Sequence, residues 1–309
     1  MSNISNVKKL LWACLCIIGV ACTKTSTSPE SSNNPTPPVN PSVSAKLYPV
    51  NFSLGDIEVS NSRIASKEVA ARSYLRYVLY IAYDSAGHLA SKVEQDSSYS
   101  QHLGAEFGII RDSLPAGNYT IVMIGSRGKP YMGDSSESFL NKFFVQTAGD
   151  EIFYKKFNAV VGVKDTATTS VKLSRITGEL QLNLTDSLPA EAQLVRMTLD
   201  NFPLYYYPGG DSVGNIVPLG WAWRYNRAEN PLFNISSSIF GSNQPHTITI
   251  EGLTENYETV CEKVVRNVYV YPNKRTLLKG SINTDFSGAM TVSIDTTYSE
   301  TIIQNFKKK

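Results

Sequence analysis

Hydrophobic and polar residues alternate along short segments of the chain from residue 46 onward. In the segment 178–184, Leu180, Leu182 and Leu184 alternate with polar residues. Because successive side chains of a strand point to opposite faces, this period of two predicts a strand with one dry and one wet face. Similar strand-like runs are found at residues 74–83, 118–125, 246–250, 267–271 and 289–295.

Turn-forming residues separate these runs, as in Leu114-Pro115-Ala116-Gly117. The spacing of runs and turns predicts an all-β chain of two tandem β-sandwich domains. The polar segment 164–170 marks the boundary between them. We therefore expect an N-terminal domain over residues 46–165 and a C-terminal domain over residues 171–305.

One segment has a helical pattern, with Phe139, Leu140, Phe143 and Phe144 at helical spacing within residues 136–145. This pattern predicts a short connection that covers the edge or the end of a sheet. We expect helices elsewhere in the folded part to be short insertions at most.

The chain begins with a signal-peptide pattern, in which Lys8 and Lys9 precede an apolar run at residues 10–21. The run is too short to cross a hydrocarbon layer of about 30 Å, and polar residues follow it. We therefore expect residues 1–21 to be removed from the mature chain.

Cys22 is the expected site of lipid attachment. The segment Gly19-Val20-Ala21-Cys22 resembles a lipobox, in which small residues precede a cysteine that receives diacylglycerol. Several acyl chains on Cys22 would anchor the protein stably in a membrane. Cys14 and Cys16 are alternative sites with poorer neighbours, and an ordinary secretory signal with an incidental cysteine is the other interpretation.

Residues 22–45 consist mainly of Ser, Thr, Asn and Pro, with very few large apolar side chains. Such a composition cannot form a packed core, so we expect a disordered stalk. The stalk would hold the folded part away from the lipid surface, and its proline-rich half would be the stiffer one.

Cysteine content and net charge argue against several kinds of bond and partner for the mature chain. Cys261 is the only cysteine after Cys22, so no disulfide framework is possible, and its strand-like surroundings favour a buried small hydrophobe over a nucleophile. Removal of Lys8 and Lys9 leaves 27 basic residues, equal in number to the 27 acidic residues. This balance argues against nucleic acid as a partner.

No motif for catalysis or for cofactor binding is present. The three histidines, His88, His102 and His246, form no metal-binding spacing, and nucleotide-binding loops and nucleophile elbows are lacking. We therefore expect no enzyme activity, no cofactor and no metal. A carboxylate pair that meets only in the fold is the remaining catalytic alternative. Asp211, in the segment 208–212, could bind calcium, but such loops are commoner as plain turns.

Aromatic residues form the most unusual cluster. Tyr205, Tyr206 and Tyr207 are consecutive, and Trp221, Trp223 and Tyr225 recur with a period of two. The period places the latter three on one face of a strand. If that face is exposed, it forms a stacking platform for sugar rings or for a partner protein. Burial in a core strand is the commoner outcome for such residues.

Three short segments resemble the fimbrillin family of Bacteroidetes, which builds type V pili. Residues 114–120 (LPAGNYT) resemble the end of the family's first domain, residues 171–180 (VKLSRITGEL) the start of its second, and residues 271–280 (YPNKRTLLKG) a segment near its end. The resemblance covers roughly residues 110–295. It implies two transthyretin-like or immunoglobulin-like sandwiches, no cofactor, and assembly by β-strand addition, in which a strand of one subunit completes a sheet of another.

The family also implies two different fates for the N-terminal strand. Polymerising subunits lose it to an arginine-specific protease, whereas lipidated anchor subunits of the FimB type keep it. Arg63 or Arg72 would be the cleavage point in this chain, although both are equally well explained as surface arginines. Residues 296–309 are the only candidate for a donor strand after Asp295, which favours an anchor or minor accessory subunit.

We therefore expect a non-catalytic fimbrial anchor, accessory or adhesion subunit that is held by lipid in the outer membrane, on its periplasmic or its outer face. Its partners would be other fimbrial subunits or surface proteins. The alternative is a glycan-binding surface lipoprotein of a sugar-import system, for which Trp221, Trp223 and Tyr225 would be the platform. The exposure of these three rings distinguishes the two hypotheses.

Overall fold

Strands dominate the structure, as the alternating pattern predicts. The computed structural model describes residues 45–309 except 62–63, 98–105, 134–135, 148, 163–167, 230, 284–289, 296–300 and 305–309. Within these residues there are 21 strands, and the helices are two single turns, α1 (Ala71–Tyr74) and a 3₁₀ turn (Ser136–Ser138). The predicted all-β fold is therefore confirmed.

The first half of the described chain forms a sandwich of two sheets. The three-stranded sheet has the order β11-β1-β6, the five-stranded sheet has the order β12-β10-β7-β4-β5, and β2 and β3 form a separate hairpin. The strands in this part of the chain are β1 (Leu47–Leu54), β2 (Asp56–Asn61), β3 (Ile64–Ala70), β4 (Tyr77–Tyr83), β5 (Leu89–Asp96), β6 (Ile109–Pro115), β7 (Gly117–Ser126), β8 (Tyr131–Met132), β9 (Val145–Gln146), β10 (Ile152–Val161), β11 (Thr168–Val171) and β12 (Ser174–Arg175). Of these, β8 and β9 belong to a sheet of the second half.

A hydrophobic core fills the space between these two sheets. Phe52 and Leu54 of β1 and Ile110 of β6 face Tyr80 of β4 and Phe153 of β10, and all five are buried. Burying a large apolar side chain contributes roughly 1.5–3 kcal/mol, so the alternating apolar positions of these strands hold the sheets together.

The second half forms another pair of sheets. One has the order β16-β13-β19-β20-β21, and the other has the order β15-β14-β17-β18, with β9 and β8 continuing it beside the last residues of β14. The strands are β13 (Thr177–Leu184), β14 (Leu194–Tyr207), β15 (Ser212–Arg224), β16 (Asn234–Phe240), β17 (His246–Leu253), β18 (Thr259–Val268), β19 (Arg275–Gly280), β20 (Thr291–Asp295) and β21 (Thr301–Gln304).

The core of the second half lies between these sheets. Leu180, Leu182 and Leu184 of β13 point into it, opposite Met197 of β14 and Ile250 of β17. The dry face that alternation predicts for residues 178–184 is thus the face that packs.

A third core joins the two halves, which belong to one compact unit over residues 45–309. The outer face of β4, with Leu79 and Ile81, packs against Phe143, Tyr206 and Phe240. β11 and β12 pair with strands of the first sheets, and β13 is the first strand of the second pair. The boundary at 164–170 lies largely outside the described residues, and the division into domains at 165 and 171 stays a prediction.

The helical spacing at 136–145 does not produce the predicted helical connection. The 3₁₀ turn ends at Ser138, and β9 then pairs with Tyr205 and Tyr206 of β14. The expected location is nevertheless correct, because β9 covers part of the edge of β14. Backbone pairing with β14 outweighs the local helical pattern, since the edge of β14 offers unpaired N–H and C=O groups.

Two of the segments that carry the family resemblance meet in space. β13 runs parallel to β19, Glu179 and Arg275 occupy one register position, and their side chains form an ion pair at 3.1 Å. Gly178 lies directly against the chain that precedes β19, and a Cβ there would overlap the carbonyl oxygen of Tyr271 and lie 2.7 Å from Cγ1 of Val270. Glycine is therefore required at position 178 for close approach of two backbones.

We expect Gly178→Ala to lower the free energy of unfolding by about 1–3 kcal/mol, because the added methyl group forces β13 and residues 270–271 apart. Gly162→Ala is the matched control, since a Cβ at Gly162 meets no atom within 4 Å. Chemical denaturation of both variants measures the difference. Equal stability of the two variants would contradict the close approach.

Candidate interaction surfaces

β1 is an integral part of the first sandwich. Residues 47–53 pair with β6 and residues 51–54 pair with β11, so β1 lies between two strands. The ring of Phe52 lies 5.7 Å from that of Tyr80 and 5.6 Å from that of Phe157, between centroids. Loss of β1 would therefore open a slot in the sheet and uncover the core beneath it.

Arg72, one of the two predicted cleavage points, lies in α1 between the β2–β3 hairpin and β4. Its neighbours Ala71 and Leu75 are buried, and its guanidinium lies 4.0 Å from the carboxylate of Glu106. Proteases cut most readily at exposed loop tips, so a helical turn fixed by two buried residues is a poor substrate. Cleavage at Arg72 stays a prediction.

Other predicted positions lie outside the described residues. These are Cys22 and Arg63, and most of the segment 296–309. The described part of that segment, β21, pairs antiparallel with β20 at the edge of its own sheet. Its use as a donor strand stays a prediction, as does lipidation of Cys22.

The edge strands differ in how well they could accept another strand. Among the described edge strands of seven or more residues in the four larger sheets, β5, β6 and β18 carry charged side chains such as Lys92, Arg111 and Arg266, and β15 carries Pro218. Charges and proline on an edge discourage addition of a further strand. β16, with the sequence NISSSIF, has neither. It is the edge best suited to strand addition.

The predicted stacking platform lies on β15 and just after it. Tyr225 is buried, 7% exposed, and its hydroxyl donates to the carbonyl of Pro231. Trp221 and Trp223 are half-buried and pack on the second core, with Trp221 edge-on to Phe202 at 5.2 Å. The three residues are therefore largely buried in a core strand, which was the commoner of the two expected outcomes. A ligand-stacking role for the three rings stays a prediction.

A different set of aromatic rings faces outward. Tyr205 and Tyr207 of β14 point away from the core, and Tyr131 of β8 and Phe144 beside β9 lie on the same face, because Gln146 pairs with both Tyr131 and Tyr205. We call Tyr131, Phe144, Tyr205 and Tyr207 the aromatic patch. The sequence analysis noted the two tyrosines of β14 but missed Tyr131 and Phe144, which are distant in the chain and join them only through sheet pairing.

Asp211 binds a lysine rather than presenting an open calcium ligand. Its Oδ2 lies 2.7 Å from Nζ of Lys156, which also donates to the carbonyls of Pro208 at 2.8 Å and Gly209 at 3.2 Å. Tyr154 donates to Oδ1 of Asp211 at 2.6 Å. Burial disfavours the charged carboxylate, but the hydrogen bonds from Lys156 and Tyr154 outweigh burial and lower the pKa of Asp211. The ammonium group thus takes the place of a cation and links β10 to the turn between β14 and β15.

The remaining titratable candidates are structural. Cys261 lies in a strand and is half-buried against the second core rather than fully buried as expected, and burial raises the pKa of its thiol. His246 is buried, and burial lowers its pKa, while its Nδ1 lies 2.6 Å from Oδ1 of Asn201. His88 lies on the β4–β5 turn, 3.8 Å from Asp84, and His102 is outside the described residues.

In the described ranges, no group of three or more His, Cys, Asp or Glu side chains is placed to hold a metal ion. None of the helices described here is long and apolar enough to span a bilayer.

Solved structures share this fold. A candidate polysaccharide-binding protein from Bacteroides thetaiotaomicron superposes with a TM-score of 0.54 at 12% identity, over 80% of this chain and 95% of that protein. A candidate adhesin from Bacteroides ovatus superposes with a TM-score of 0.53 at 11% identity, over 85% of this chain and 96% of that protein. The fimbrial anchor protein Mfa2 from Porphyromonas gingivalis gives a TM-score of 0.46 at 12% identity, over 80% of this chain and 97% of that protein.

No protein-family model matches the chain, and no curated protein matches its sequence. The first two of these structures, each with a TM-score above 0.5, confirm the all-β sandwich fold that the sequence resemblance implies. This chain is therefore similar in fold to a candidate polysaccharide-binding protein and to a candidate adhesin of Bacteroides.

We expect Lys156→Ala to lower the free energy of unfolding at pH 7 by about 1 kcal/mol, because Asp211 and two carbonyls lose a partly buried partner. This corresponds to a fall in Tm of roughly 2–4 °C. Lys155→Ala, at an exposed position of the same strand, is the control and should change stability by less than about 0.5 kcal/mol.

The effect of Lys156→Ala should depend on pH. The folded state holds the pKa of Asp211 below its ordinary value of 3.8, so this stabilisation is present above that value and is lost as the pH falls through the lowered pKa. The Tm difference between wild type and Lys156→Ala should therefore shrink on acidification from pH 7. A difference that stays constant would show that the ion pair is not its cause.

Proposed function

We propose that this chain is a non-catalytic fimbrial anchor, accessory or adhesion subunit, held in the outer membrane by lipid on Cys22, that contacts other subunits by β-strand addition. The uncharged, proline-free edge of β16 is the observation that carries the proposal. The fold shared with adhesin-type proteins and the fimbrillin-like segments support it.

The ladder between β16 and β13 identifies the groups that a partner strand would contact. Leu184 donates to the carbonyl of Phe233, and Gly241 donates to the carbonyl of Ile176, so odd-numbered residues of β16 bond to β13. In an antiparallel ladder the intervening residues direct their N–H and C=O groups to the other side. Asn234 and Ser236, which are exposed, therefore offer backbone groups to an incoming strand, whereas Ser238 is buried, so the open part of this edge is the first half of β16.

The position of β1 favours an anchor over a polymerising subunit. The stalk leads directly into β1, so a lipid on Cys22 would transmit any pull on the protein to this strand. Pairing on both sides and the burial of Phe52 and Leu54 suit β1 to resist that pull. Cleavage after Arg72 would separate β1 from the remainder of the chain and leave only non-covalent contacts to the lipidated piece.

We expect Cys22→Ala to release the protein from the membrane fraction and to cause cells to shed filaments. Mass spectrometry of membranes and of filaments sheared from intact cells measures both effects, with Cys261→Ala as the control that retains the lipidation site. Wild-type protein that is membrane-bound but absent from filaments would refute the fimbrial role. Retention of Cys22→Ala in the membrane would refute the lipid anchor.

We expect Ser236→Pro to abolish binding of the purified mature chain to sheared filaments, because proline removes an outward N–H group from β16. The side chain of Ser236 is exposed, and the ladder to β13 does not use its N–H. Ser236→Thr is the matched control and should bind as wild type does. Wild-type binding by a folded Ser236→Pro variant, with Tm as the check on folding, would exclude β16 as the docking edge.

A further inference from the structure

We propose that the aromatic patch, Tyr131, Phe144, Tyr205 and Tyr207, is a binding site for a neutral saccharide. This inference is independent of strand addition at β16, which concerns an edge of the other sheet of the second half. It also concerns different residues from the predicted platform at Trp221, Trp223 and Tyr225.

The four rings form one cluster, in which neighbouring ring planes are inclined by 35–89°. The centroid of Phe144 lies 4.3 Å from that of Tyr205, 6.1 Å from that of Tyr207 and 6.4 Å from that of Tyr131. None of the four belongs to a buried core, and Tyr131 is 55% exposed. The intervening Tyr206 points the other way, into the core that joins the two halves.

Two glycines allow the rings to lie against the sheet. A Cβ at Gly214 would lie 2.8 Å from Cε2 of Tyr207, and one at Gly133 would lie 2.5 Å from Cε1 of Phe144. The two glycines thus let the rings of Phe144 and Tyr207 approach the backbone closely, and Phe144 in turn packs against the ring of Tyr205. Flat aromatic faces of this kind suit the C–H faces of a pyranose ring, which are weakly positive where the ring face is negative.

The polar groups around the rings fit a hydroxyl-rich ligand. The phenol oxygens of Tyr131, Tyr205 and Tyr207 make no hydrogen bond to a described residue. The amide of Gln146 lies on the same face by register. These groups can donate to and accept from sugar hydroxyls, which is the usual role of the few polar groups in a largely apolar site.

The charge and the area of the aromatic patch limit which ligands can bind to it. The neighbours that pairing places on this face, Gln146, Gly214 and Ile216, are uncharged. None of the described residues that pairing places on this face carries the positive charge that an acidic or sulfated sugar requires. A stable protein interface buries about 800 Å² of surface on each partner, and four partly covered rings offer a much smaller area. A short stretch of neutral glycan fits both limits.

The test is a glycan array with the full mature chain, followed by affinity electrophoresis in gels that contain the neutral polysaccharides identified. We expect binding to neutral glycans and a loss of about two- to tenfold in affinity for each ring removed, so that Tyr205→Ala/Tyr207→Ala abolishes retardation in the gel. Tyr257→Ala removes a tyrosine that is 63% exposed elsewhere and should leave binding unchanged.

Folding is monitored by Tm, and Tyr131→Ala, which removes the most exposed ring, replaces the double variant if that variant unfolds. Absence of binding to any neutral glycan would overturn the proposal. So would binding that survives removal of the patch rings, or self-association of the chain that disappears with them. Because Ser236→Pro leaves the patch intact, glycan binding by that variant separates this proposal from strand addition.

Discussion

Burial of β4 on both faces is the constraint on which the rest of the structure depends. Val78 and Tyr80 point into the core of the first sandwich, whereas Leu79 and Ile81 point into the core shared with the second half. A single layer of backbone thus separates two hydrophobic cores. The two halves cannot come apart without exposing the outer face of this sheet to water, at a cost of roughly 25 cal/mol for each Å² of apolar surface.

Burial of apolar surface is non-directional, so polar contacts fix how the packed parts are oriented. Lys156 and Asp211 link the two halves at one point, and within the first half the buried guanidinium of Arg175 lies 2.6 Å from Glu151. Tyr74 donates its hydroxyl to the same carboxylate, which holds α1 against the sandwich. Removing one partner of a buried pair leaves an uncompensated charge, so such pairs specify one arrangement more than they add stability.

The two proposed contact surfaces are physically separate. The edge of β16 belongs to one sheet of the second half, and the aromatic patch belongs to the outer face of the other. A subunit with this arrangement can join a partner strand and hold a glycan at the same time. The stalk enters at β1 in the first half, so neither surface carries the predicted lipid tether.

The sequence alone determined the all-β class and most strand positions, because an alternating period of two and turn residues act over a few neighbouring positions. It also identified Cys22 as the expected anchor and Gly178 as part of a family-like segment.

Only the tertiary structure decided which aromatic residues face solvent. A β-bulge between Leu199 and Phe202 reverses the alternation of β14, so even-numbered Tyr206 turns inward and Tyr205 and Tyr207 turn outward. The helical spacing at 136–145 likewise gave way to pairing of β9 with β14, since the partners of a strand edge are distant in the chain and leave no local signal.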